Sequence, residues 1–101
     1  MPEPRMSAPT LKVLGALLSD PRDKLSGAEI ARLTKVASGT LYPILLRLED
    51  AGWLDSQWED RDPRELGRPR RRFYRVTGLG ERRAKAVIRE LRPLLGNAAW
   101  A

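Results

Sequence analysis

In Ser38-Gly39-Thr40-Leu41-Tyr42-Pro43-Ile44-Leu45-Leu46-Arg47-Leu48-Glu49-Asp50-Ala51-Gly52, apolar residues 41, 44, 45 and 48 recur at i, i+3, i+4 and i+7. That spacing lays one apolar stripe along an α-helix. Gly52 suits the left-handed position that stops it. Pro43 has no amide hydrogen and is best tolerated in a first turn, so a cap at Thr40 or a loosened first turn from Ser38 is expected. Residues 39, 40, 42, 43, 46 and 47 lie off the stripe and must meet solvent or a partner.

Upstream, Ser26-Gly27-Ala28-Glu29 has the capping-box pattern of a helix start. A short helix should follow, with Ile30 and Leu33 inward, ending near Thr34 and joined to the next helix by Lys35-Val36-Ala37. From Thr10, Leu11, Leu14 and Leu18 mark an earlier helix, with Leu17 flanking. Asp20-Pro21-Arg22-Asp23 ends it, because a residue before proline avoids the helical region. Leu25 suits a short strand or an extended link, and residues 1–8 read as a Pro-rich, frayed leader.

After Gly52 the period becomes two. Leu54 and Trp58 share one face of Trp53-Leu54-Asp55-Ser56-Gln57-Trp58-Glu59, and Arg72-Phe73-Tyr74-Arg75-Val76 reads as a second strand. The connection Asp60 to Arg71 carries Pro63, Gly67 and Pro69 and is too long for a tight hairpin, so it should project. Thr77 can cap a last helix whose apolar stripe is Leu79, Ala84, Val87, Ile88, Leu91 and Leu95, with Pro93 kinking it or ending it near Arg92.

The 101 residues suffice for one modest core. Cysteine and histidine are both absent, which excludes a disulfide scaffold, a thiolate zinc site and the commonest general base. Ser26, Ser38 and Ser56 have no histidine to activate them, so no enzyme is expected and no cofactor or metal is called for. No apolar run is long enough to span a bilayer, and the N-terminus lacks the pattern of a signal peptide, so a soluble intracellular protein is expected. The net charge of +6 is concentrated: residues 61–72 hold six arginines for a segment charge of +4, and residues 81–92 hold +3. Such patches fit a polyanion, most simply nucleic acid, although basic runs are also ordinary solvated surface.

Helix, helix, helix, strand, projecting basic loop, strand, helix is the order of a winged helix. The expectation is a mostly helical α+β chain. A leader covers 1–8, a winged helix-turn-helix with a two-stranded basic wing covers 9–76, a dimerisation helix covers 77–95, and a tail covers 96–101. Residues up to Val76 can close a core alone, so the stripe of Ala84, Val87, Ile88, Leu91 and Leu95 needs a partner. A two-fold homodimer supplies one; folding back on the first helix is the alternative.

Ser38-Gly39-Thr40-Leu41-Tyr42-Pro43, Leu45, Arg47-Leu48-Glu49 and Ala51-Gly52-Trp53-Leu54 resemble the PadR family of bacterial transcriptional regulators. Gly67-Arg68-Pro69-Arg70-Arg71-Arg72-Phe73-Tyr74-Arg75-Val76-Thr77 is similar to that family's wing and exit, with Gly80 following. The resemblance covers roughly residues 10–92. It implies a dimeric, cytoplasmic repressor on nucleoid DNA, without catalysis or an obligatory metal. Thr40 and Tyr42 would face DNA from the start of the recognition helix, and Arg68, Arg70 and Arg71 would flank the minor groove or phosphates. Three departures stand out: Gly27-Ala28-Glu29-Ile30 has alanine where the family has tyrosine, the wing holds one extra arginine, and only one helix follows it. No ligand site is carried over, and a small-molecule effector is left open.

The candidate DNA-contacting residues are Ser38, Gly39, Thr40, Tyr42, Pro43, Arg47, Arg68, Arg70, Arg71 and Arg75. Thr40 offers a hydroxyl and a methyl, or is a plain helix cap. Tyr42 offers its hydroxyl to phosphate or base, or packs on the neighbouring helix. Arg47 reaches the backbone, or pairs with Glu49 or Asp50. Trp53 and Trp58 are expected to be structural; Trp100 would pack in the dimer interface, cover an effector pocket or belong to a disordered tail. The rival to a sequence-specific regulator is a non-specific architectural nucleic-acid binder, which shares the charge pattern but not the base preference.

Overall fold

The computed structural model describes residues 3–95. The elements are α1 (Ala8–Leu18), β1 (Leu25–Ser26), α2 (Gly27–Thr34), α3 (Ser38–Asp50), β2 (Leu54–Trp58), α4 (Pro63–Leu66), β3 (Arg72–Val76) and α5 (Gly78–Leu95). This is a winged helix: three helices, a small antiparallel sheet and a closing helix.

Local chemistry sets most boundaries. The Ser7 hydroxyl accepts the Thr10 amide and caps α1, and Met6 packs on the core, so the end of the leader expected to fray is tied down. The capping box of α2 forms in full: Ser26 Oγ accepts the Glu29 amide at 3.1 Å and Glu29 Oε1 accepts the Ser26 amide at 3.1 Å. Lys35 leaves α2 with φ 62°, a left-handed turn that breaks the helix and redirects the chain. Leu33 corrects its expected inward placement: it is exposed, while Thr34 turns in and donates to the Ile30 carbonyl at 2.7 Å.

The sheet has a third strand. β1 pairs with β3 (Leu25 opposite Tyr74), and β2 pairs with the other edge of β3 (Leu54 opposite Val76, Trp58 opposite Arg72). Leu54, Tyr74 and Val76 point inward, with Val13, Leu14, Leu17, Ile30 and the α3 stripe of Leu41, Ile44, Leu45 and Leu48. Those four α3 residues are 0–4% exposed. The wing contains the single turn α4, capped by Asp62 and ended by Gly67 at φ 67°.

α5 extends through Pro93 to Leu95 instead of stopping near Arg92. Its start is bolted to the end of α3. The Thr77 amide donates to the Trp53 carbonyl at 2.9 Å, Thr77 Oγ1 donates to the Gly52 carbonyl at 2.7 Å, and the Gly80 amide donates to Thr77 Oγ1 at 2.9 Å. Gly80 lies so close to this turn that an added Cβ would fall on the Trp53 carbonyl oxygen and within 2.8 Å of its Cα. Ala84 is fully buried in the chain's own core and Val87 packs against it, so the first half of α5 does fold back on its own domain. Ala84 is therefore closed to a partner, a correction to its expected place in a dimer interface.

Two glycine substitutions should have opposite signs. Gly80→Ala must displace backbone and should destabilise the fold by roughly 1–3 kcal/mol. Gly15→Ala sits in the interior of α1 with nothing within 4 Å of the new methyl, and should stabilise by about 0.5–1 kcal/mol. Urea unfolding midpoints of the two variants check both.

Candidate nucleic-acid interface

Burial of the α3 stripe turns the opposite face outward. Ser38, Gly39, Thr40, Tyr42, Pro43, Leu46 and Arg47 are all exposed. α3 begins at Ser38 with Ala37 as its cap residue, and no side chain caps it. Thr40 is thus not the cap; it lies inside the first turn, and its hydroxyl has no hydrogen-bond partner among the described residues. Pro43 falls in the second turn, where it denies the Gly39 carbonyl its helical donor; that carbonyl is on the exposed side, where solvent can serve it. The uncapped first amides and the helix dipole leave this end attractive to an anion.

Tyr42 combines its two anticipated roles. Its ring lies over Gly27, where an added Cβ would be 2.7 Å from the phenol oxygen, yet 49% of the residue remains exposed. Packing on α2 holds the ring still, and the outer edge stays available. Tyr42 shares a groove of about 360 Å³ with Ala28, Trp58, Arg70, Arg71 and Tyr74. The start of α2, the first turns of α3 and the root of the wing therefore meet in one place. Burial pushes the Tyr74 phenol up from its ordinary range, so it stays neutral at the groove floor.

The wing arginines divide into two kinds. Arg68 turns back onto Glu59, donating Nη1 to Oε1 at 2.5 Å and Nη2 to Oε2 at 3.1 Å. Glu59 Oε1 also accepts the Arg71 amide at 2.8 Å, and the Glu59 amide donates to the Arg71 carbonyl at 2.9 Å. One carboxylate thus fastens both arms of the loop. Arg72 is likewise engaged. Its Nε donates to Ser56 Oγ at 2.9 Å, its Nη2 lies 3.3 Å from Glu49 Oε2, and its guanidinium stacks 5.5 Å from the Trp58 ring. Ser56 in turn donates to Glu49, so the end of α3 is tied to both long strands. Glu49 pairs with Arg72 rather than with Arg47, which has no partner among the described residues.

Arg70 and Arg71 are the outward pair. Arg70 Nε donates to the Arg61 carbonyl at 3.0 Å, which braces the stem and leaves the terminal nitrogens for other contacts. Arg71 is exposed and its guanidinium makes no hydrogen bond or close ion pair among the described residues, although its charge adds to the field that holds Glu59 ionised. Arg75 stands apart from this set. Strand alternation puts it opposite Asp55 on the outer face of the sheet, lining a separate groove of about 440 Å³ with Arg22 and Asp23. Trp58, expected to be structural, shares a face with Leu54 and stacks on Arg72, but that face runs past the edge of the core and leaves Trp58 exposed beside Tyr42 and Arg70. Only the reach of α3 over the sheet could have shown this, and strand periodicity does not report it.

On α5, Ile88 and Leu91 are half-buried and Leu94 is 80% exposed. The Leu95 side chain and Trp100 lie outside the described residues. Among those residues no group of carboxylates could hold a metal ion, and no helix is long and apolar enough to cross a membrane.

A winged helix with an open recognition helix and a basic wing is the form of a DNA-binding transcription regulator. Residues 24–86 match the transcriptional regulator PadR-like family, and the chain belongs to it. That family consists of transcription regulators, not enzymes. A PadR-family regulator from Eggerthella lenta is 26% identical with a TM-score of 0.68, over 86% of this chain and 77% of that one. A PadR-family regulator from Clostridium difficile has the same fold, with a TM-score of 0.70 at 22% identity over 87% of this chain and 91% of that one. Disulfide-formed AbfR is similar over 83% of this chain at 25% identity and a TM-score of 0.66, but the chain spans only 56% of the AbfR length. Among curated proteins there is no match.

The Glu59 clasp makes a pH prediction. Hydrogen bonds from Arg68 and from the Arg71 backbone hold its carboxyl down to about 2, below the ordinary 4.5. A carboxyl lowered on folding adds stability that is complete above about pH 4.5 and is lost as the pH falls towards 2. Glu59→Gln should flatten the pH dependence of unfolding in that window while changing little in its slope above it. Urea titrations at pH 2.5, 3.5 and 5.5 measure the difference.

Proposed function

We propose that this chain is a sequence-specific transcriptional repressor that binds double-stranded DNA as a homodimer, with α3 in the major groove and the wing on the minor groove or the adjacent backbone. The observation that carries the reading is the shared groove of Tyr42, Trp58, Arg70 and Arg71. It joins a helix that reads base edges to cations that hold phosphate. Ser38 and Gly39 present open amides and Thr40 a hydroxyl to the backbone, Pro43 and Arg47 continue the same exposed face, and Arg70 and Arg71 supply charge. Arg68 and Arg72 act indirectly, by fixing the wing and setting its angle to α3. Arg75 takes no part in this reading. Binding to DNA would place the protein on the nucleoid in the cytoplasm.

The dimer reading rests on the second half of α5. Ile88, Leu91 and Leu94 remain only partly covered or bare after the monomer core is complete. A matching helix related by two-fold symmetry would cover them, and would place two recognition helices on successive half-sites. A small-molecule effector remains outside this reading, because the groove is open to the surface and basic.

Selection from a random duplex library at moderate salt tests the whole reading. A near-palindrome with half-sites about one helical turn apart is expected. A flat library with steep salt dependence would mean a non-specific architectural binder instead. On the selected duplex, Tyr42→Ala should weaken binding by at least tenfold with an unchanged melting temperature; full affinity in that variant would remove Tyr42 from the contact. Ile88→Asp combined with Leu91→Asp should give monomers by light scattering. Val87 is left intact in that test because it packs on the chain's own core.

A further inference from the structure

Leu46 stands in the middle of the recognition helix and is 59% exposed. The core does not need it: the buried stripe is complete with Leu41, Ile44, Leu45 and Leu48. It lies four residues after Tyr42 and three after Pro43, so the three share one helix face. Its surroundings are cationic. Arg47 beside it is unpaired among the described residues, and Tyr42 connects its face to Arg70 and Arg71. Of the nearby carboxylates, Glu49 is held by Arg72 and Ser56, and Asp50 is the last residue of α3, at the end away from the wing groove. A leucine on a surface of that charge fits a polyanion that also offers an apolar spot.

Base edges are told apart by a short chemical code. Asn and Gln suit adenine, Arg and Lys suit guanine, Asp and Glu suit cytosine, and apolar groups suit the thymine methyl. The exposed face of α3 has no Asn, Gln or Lys. Its polar groups are Arg47, Asp50 at the far end and the hydroxyls of Ser38, Thr40 and Tyr42; its apolar groups are the Thr40 methyl, the Pro43 ring and the Leu46 side chain. We infer that Leu46 is a specificity-determining residue that reads the methyl group of a thymine in the major groove. This rests on the reading of α3 as the major-groove helix. It makes discrimination at that base a matter of apolar contact, with Tyr42 and the arginines fixing register rather than sequence.

The test uses the duplex selected above, with each thymine replaced singly by deoxyuridine. That exchange removes the methyl and leaves the hydrogen-bonding edge intact. With the wild-type protein, one thymine in each half-site should be sensitive, losing about fourfold in affinity when replaced singly and roughly 15-fold when replaced in both half-sites. Leu46→Ala, exposed enough to leave the fold intact, should bind more weakly overall and be indifferent to uracil at that same position. Leu46→Gln, taken through a fresh selection, should change the preferred base in that column while the other columns stay. An operator that tolerates uracil everywhere overturns the assignment and leaves the regulator reading standing. So does a uracil-sensitive position that persists unchanged in Leu46→Ala. Failure to enrich any duplex removes both at once.

Discussion

The buried stripe of α3 is the constraint on which the rest depends. Leu41, Ile44, Leu45 and Leu48 fill the space between α1, α2 and the sheet, and close packing leaves them a single rotational setting. Once that setting is fixed, the opposite face has no freedom either. Tyr42, Pro43, Leu46 and Arg47 are displayed because four other side chains cannot be. The precision of the exposed face is therefore borrowed from the core.

Charge is organised by the same logic. Five consecutive positions in and around the wing, Arg68 to Arg72, carry arginine or proline, yet the arginines differ in role with their local acceptors. Arg68 finds Glu59 and becomes a clasp; Arg72 finds Glu49 and Ser56 and becomes a strut between helix and sheet. Arg70 and Arg71 keep most or all of their donors for the outside. Partly shielded, bidentate geometry gives the clasp more value than an exposed surface pair such as Arg83 with Glu3. A wing with internal fasteners can hold its outward cations in place before any DNA arrives, which lowers the ordering cost of binding.

Much of this was legible in the sequence because it is written in short-range periodicity. The α3 stripe, the capping box at Ser26, the two strands of the wing and the projecting loop all follow from spacing over a few residues. What escaped was set by distant partners. Leu33 looked apolar and in phase, but the last turn of α2 puts Thr34 inward in its place, against the Ile30 carbonyl. For Leu25 the sequence left a short strand and an extended link both open; the open edge of β3 decides for the two-residue strand. The division of the arginines depends on Glu49, Ser56 and Glu59, which are 9 to 23 residues away from Arg68 or Arg72 along the chain. Ala84 read as interface because helical phase alone cannot tell a chain's own core from a partner's.

The contact between Tyr42 and Gly27 has an evolutionary side. The ring occupies the volume where any larger residue at 27 would place its Cβ. A larger residue at 27 therefore fits only where residue 42 is smaller or its ring is turned away, although the two sit on different helices. A relative with a bulkier residue at 27 would exchange with this chain most simply through the continuous segment from Ser26 to Asp50, cap, turn and all, rather than through the recognition helix alone. A new DNA preference would be acquired by trading that segment whole, or by changing side chains such as Leu46 that no other part of the fold leans on.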